Sequence, residues 1–122
     1  MKAITIPIEV YGRAVVILQG NVKESIQWLK DEETDNETVT AVEDTEWSYT
    51  DAVTVSDGTD AYIVVKEEAE DRVIVHELLH ATSDILKIIG IDFNSAEEAY
   101  AYLLGYLYAQ WREAVNDNSK DD

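Results

Sequence analysis

His76 and His80 are the only two histidines in the chain, and Glu77 stands directly after the first of them. On an α-helix, residues four apart lie one above the other on the same face, so both imidazoles can reach one metal ion. Glu77 then falls beside the ion instead of on it. A glutamate so placed can take a proton from a water that the ion polarises, and zinc lowers the pKa of such a water toward about 7. The chemistry this spacing serves is hydrolysis of a peptide bond, with His76 and His80 as metal ligands, Glu77 as catalytic base and Zn2+ as cofactor.

The elements that must hold these residues can be read from the surrounding pattern. Ile74, Leu78, Ala81, Ile85 and Ile88 form one apolar stripe and Val75, Leu79, Leu86 and Ile89 a second, which predicts a helix buried nearly all round. Two histidines and a glutamate on a buried helix need a compensating partner, and a metal supplies it. The acids Glu67, Glu68, Glu70 and Asp71 favour the helix N-terminus, so the helix is expected from about Glu70 to Ile89, with Lys87 in its last turn and Gly90 as its stop. After Ile91-Asp92-Phe93, the segment Ser95-Ala96-Glu97-Glu98 reads as a capping box, with Ser95 at the N-cap and Glu98 three residues on. A second long helix should follow to about Val115, leaving Asn116 to Asp122 as a polar tail on a single domain of residues 1–115.

With no third histidine and no cysteine, a hydrolytic zinc site needs a carboxylate as its third protein ligand, beside an open position for water. Glu97 and Glu98 are the candidates, since both open the helix that follows the motif helix. Glu98 shares a helical face with Ala101, Tyr102, Gly105 and Ala109, a stripe rich in small residues that would let two helices approach closely, whereas Glu97 aligns with Ala101, Leu104 and Tyr108 on a bulkier face. Glu98 is therefore preferred, and the capping box is the competing role for either. Tyr102 is read as a core aromatic or as a donor that orients a ligand. Asp84, one turn beyond His80, either bonds an imidazole or is solvated at the rim. Tyr100, Leu103, Leu107 and Trp111 make an apolar stripe expected in the core.

Upstream, Lys2 to Val10 alternates and Ala14 to Leu18 is apolar, with Tyr11-Gly12-Arg13 between them, the pattern of a β-hairpin. Pro7 lacks an amide hydrogen and places its strand at an edge or a bulge. Asn21 is a natural N-cap for a short helix from about Val22 to Asp31, with Val22, Ile26 and Leu29 inward. Asp31 to Glu37 reads as an exposed acidic loop. Thr38 to Val42, Thr45 to Thr50, Ala52 to Val55 and Ala61 to Val65 are β-rich runs, and Asp57-Gly58 marks a turn before the last of them. Tyr62 to Val65, just before the motif helix, is expected to be an edge strand on which an extended peptide could pair.

The chain has 122 residues, enough for one modest core. It carries 26 acidic and 9 basic residues, a formal net charge of −17, which repels nucleic-acid phosphate and anionic membrane surfaces. Direct nucleic-acid binding is therefore not expected. The charge serves solubility or, in a sharper reading, imitates nucleic acid to occupy a basic host protein. No run approaches the roughly 20 apolar residues of a membrane span, and the first ten residues alternate like a strand instead of forming a signal sequence. A cytoplasmic protein is the expectation.

The stretch from Val73 to Leu107, with Val75-His76-Glu77-Leu78-Leu79-His80-Ala81, Gly90-Ile91 and Glu97-Glu98-Ala99-Tyr100-Ala101-Tyr102-Leu103-Leu104-Gly105-Tyr106-Leu107, resembles the small zincin-like proteins of tailed phages and prophages. That resemblance implies metal ligation by His76 and His80, a base at Glu77, a third ligand from the Glu97-Glu98 pair, and the fold and host-cytoplasm setting of that group. The fold expected is α+β: a small twisted, mainly antiparallel sheet packed on two long helices, with one short helix in the N-terminal half. The activity expected is that of a minimal zinc metallopeptidase on a peptide or protein substrate. An acidic interaction protein or a non-catalytic zinc protein on the same scaffold are the alternatives.

Overall fold

The computed structural model describes residues 1–120, and the side chains of these apart from Ser95 and residues 118–120. Strands β1 (Lys2–Ile8) and β2 (Arg13–Gly20) form the expected hairpin, joined by a single 3-10 turn over Glu9–Tyr11. Gly12 takes a left-handed φ of 64°, a conformation that costs glycine little. Helix α1 (Val22–Asp31) begins as read, with the Asn21 side chain accepting from the Glu24 amide at 3.1 Å. Helix α2 (Asn36–Glu43), β3 (Ala52–Ser56), β4 (Ala61–Lys66), α3 (Asp71–Ile88) and α4 (Glu97–Lys120) complete the order.

The fold is α+β, with a four-stranded sheet in the order β1-β2-β4-β3. Its pairing is mixed, with two of the three strand pairs antiparallel. β2 and β4 run parallel at the centre, and β1 and β3 are antiparallel at the two edges. A parallel pair needs a long crossover, and α1, α2 and β3 supply it. β4 is thus a central strand, so the edge role expected for Tyr62 to Val65 falls to β3. Pro7 does lie on an edge strand, where its missing amide hydrogen costs the ladder nothing.

Thr38 to Val42 is helical, although its β-branched residues suggested a strand. Val39 and Val42 stand three apart and both are buried, which a helix achieves on one face and a strand cannot. They join Leu29, Val16, Leu18 and Val64 in a core on one side of the sheet. The Thr45 to Thr50 run is likewise not a strand. It forms turns, within which the Trp47 indole donates to the Val42 carbonyl at 2.9 Å.

On the other side of the sheet, Ile4, Ile6, Ile8, Val15, Ile17, Ile63 and Val65 pack against α3 and α4. The sheet is therefore covered on both faces, with two short helices on one and two long helices on the other. This explains why Val15 to Leu18 reads as a continuous apolar run, since alternate residues enter opposite cores. No helix among the described residues is long and apolar enough to cross a membrane.

Helix α3 ends in a Schellman motif. Gly90, at φ 83°, donates to the Lys87 carbonyl at 3.0 Å, and Ile91 donates to the Leu86 carbonyl at 2.8 Å. Helix α4 starts at Glu97, and the Ala96 carbonyl accepts from the Ala99 amide at 3.0 Å. Glu98 is then the second helical residue, one position short of the capping-box geometry, and the Ser95 side chain of that motif lies outside the described residues. The helix passes the expected end at Val115 and runs through Lys120, so most of the anticipated tail is helical. Residues 121–122 lie outside the described residues.

Candidate metal centre

Helix α3 buries Ile74, Leu78, Ala81, Ile85 and Leu86 against the sheet and α4. The second apolar stripe follows only at its C-terminal end, where Leu86 is buried and Ile89 packs against the core. Val75 is 39% exposed, Leu79 is 49% exposed, and His76 and His80 are exposed with them. The expectation of a helix buried nearly all round is thus corrected, because α3 covers one layer of the domain and nothing among the described residues packs over its outer face. The histidines face solvent, where a metal could reach them.

The His76 and His80 Nε2 atoms lie 3.2 Å apart, with ring centroids at 4.8 Å and planes inclined by 71°. Two nitrogens each about 2.0–2.1 Å from a tetrahedral zinc stand roughly 3.3 Å apart, so the pair already has the spacing of two ligands on one ion. A single proton shared between one nitrogen and the other accounts for the same distance. Either way the i, i+4 spacing brings both imidazoles to one point.

Glu77 points elsewhere. Its side chain is only 7% exposed and turns toward edge strand β3, where Thr54 Oγ1 donates to Glu77 Oε2 at 2.6 Å. The same hydroxyl lies 3.3 Å from the Glu77 backbone carbonyl. A buried carboxylate needs hydrogen-bond partners, and Thr54 provides one across 23 residues of sequence. Thr54 is the partner of Glu77 that sequence reading missed. Its β-alternation placed it on a strand, but nothing local marks which strand lies over Glu77.

Helix α4 turns Tyr100, Leu103, Leu107 and Trp111 into the core, as expected. Its small-residue stripe faces outward, with Ala101, Tyr102, Gly105 and Ala109 all exposed, so it is not the surface that approaches α3. Tyr102, at 76% exposed, is not a core aromatic. Glu97 and Glu98 are exposed, and no group of three or more histidine, aspartate or glutamate side chains among the described residues converges as a metal site. The structure brings His76 and His80 together but does not add Glu98 to them. Asp84 is half-buried near His80. Burial raises its carboxyl above the ordinary value, while the charges of Lys87 and His80 pull it back.

No protein-family model matches the chain, and neither a curated protein nor a solved structure is detectably similar to it.

Proposed function

We propose that the chain is a minimal zincin-type metal protein in which His76 and His80 hold a zinc ion and Glu77 is the base of a peptide-bond hydrolysis. The observation that carries this reading is the 3.2 Å separation of the two Nε2 atoms on an exposed helical face, with the buried Glu77 next to His76 in sequence. The resemblance of residues 73–107 to small phage zincin-like proteins points the same way. Glu98 is our choice for the third protein ligand. The chain offers no further histidine and no cysteine, and Glu98 opens a helix that packs on α3.

Zinc, when bound, supplies a Lewis acid that polarises a carbonyl and acidifies water. The chain's own residues do the rest. Thr54 engages Glu77 Oε2 and fixes the carboxylate, leaving Oε1 to accept the proton of the attacking water. As the C–N bond breaks, Glu77 returns that proton to the departing amine. The free outer edge of β3 lies next to this carboxylate and can align an extended peptide.

The test is cleavage of an unbiased peptide pool by zinc-loaded protein, read by mass spectrometry. Wild type should cut, and Glu77→Gln should cut at least about 100-fold more slowly while binding zinc unchanged. A zinc-loaded wild type that cuts nothing would leave a second reading, metal binding without turnover. One observation favours that alternative, the exposed Glu98 that stands apart from the histidines.

A further inference from the structure

A separate surface lies where the 3-10 turn after β1 passes the start of α4. Ile8, Val10 and Tyr11 form one wall of a groove of about 550 Å³, and Ala99, Tyr102 and Tyr106 form the other. Its apolar character is held open to solvent. Val10 is 84% exposed and Tyr102 is 76% exposed, whereas side chains of these types ordinarily gain by burial. The Tyr106 hydroxyl donates to the Pro7 carbonyl at 2.9 Å, which fixes that ring as a wall.

Glu9 is the single charged residue that lines the groove, and no cation lines it. Around this lies a chain of net charge −17. Like charge on two copies disfavours self-docking. Exposed tyrosine rings beside a carboxylate suit a planar, weakly hydrated guanidinium, which stacks on an aromatic face while its edge bonds the acid. An ammonium takes the carboxylate but stacks less well. We infer that this groove receives an arginine-bearing segment of a basic protein partner, with Tyr102 as the stacking platform and Glu9 as the charge partner.

The test uses the full chain with fluorescein-labelled nona-arginine and nona-lysine at equal ionic strength. One stacked ring gives roughly a two- to five-fold preference, so nona-arginine should bind about four-fold more tightly. Val10→Ser with Tyr102→Ser should bring the ratio to about one, while Tyr49→Ser, a substitution at an exposed tyrosine distant in sequence from the groove, leaves it unchanged. Amide shifts in labelled wild type should cluster at Val10, Tyr11, Ala99 and Tyr102, a readout that needs no variant. Equal affinity for the two peptides, a ratio that survives the double substitution, or shifts scattered over the acidic surface would each overturn the inference. A concentration-dependent dimer that protects Tyr102 would overturn it in favour of a second copy.

Discussion

Replacing Thr54 with valine keeps the shape of the side chain and removes the hydroxyl that Glu77 Oε2 accepts at 2.6 Å. A hydrogen bond to a charged group contributes about 1.5–3 kcal/mol, and a buried carboxylate that loses its donor bears its own desolvation cost. Thr54 is only partly buried, so some water can replace the lost donor, and the expected destabilisation is about 2 kcal/mol. Unfolding entropy near 2.1 cal/mol/K per residue converts this to a fall of roughly 8 °C in Tm for a chain of this length. Urea unfolding at pH 7 measures the change, with Thr54→Ser as the variant that keeps the donor. A double-mutant cycle with Glu77→Met isolates the pair, since removing both partners of a buried bond is nearly neutral. A coupling energy of about 2 kcal/mol is expected. Additive single effects, or a Thr54→Val loss below about 0.5 kcal/mol, would refute the claim that β3 anchors the base.

The Tyr62 phenol is pushed up to about 12 by burial first, then by the charge of Asp57 and the hydrogen bond it donates to Asp57 Oδ2. Its folded value exceeds its unfolded one, so its contribution to stability is full below pH 10 and is lost as pH rises from about 10 to 12. The ultraviolet titration of wild type minus Tyr62→Phe should show a midpoint near 12, and a midpoint near 10 would contradict the environment described. Glu98→Gln should weaken zinc binding at least about ten-fold if Glu98 completes the site; unchanged affinity in calorimetry would remove it as a ligand. Gly90→Ala places a Cβ at φ 83° in open space, so its cost is backbone strain alone. We expect about 1 kcal/mol in chemical denaturation, and a neutral result would show that the helix end readjusts.

Local rules carried the sequence reading furthest where local chemistry decides the structure. Asn21 capping α1, Gly90 closing α3, Pro7 at an edge and the Tyr100-Leu103-Leu107-Trp111 stripe each follow from one residue type or one period. The same rules failed where the tertiary setting decides. Thr38 to Val42 is β-branched, yet the spacing of Val39 and Val42 lets a helix bury both against β2 and β4. The small-residue stripe of α4 resembled a close-packing surface, but the larger apolar stripe took the core and turned Gly105 and Ala109 outward. For the candidate site, helical periodicity alone places His76 above His80. The bond from Thr54 to Glu77 depends on which strand becomes the edge, and no local pattern records that.

The proposed chemistry stands on His76 and His80 serving as two ligands of one ion. It is tested most directly by inductively coupled plasma mass spectrometry and zinc calorimetry on untagged protein. About one zinc per chain is expected, lost in His76→Ala and in His80→Ala and retained in Glu77→Gln. Absence of stoichiometric zinc in wild type, or its persistence in both histidine variants, would contradict it.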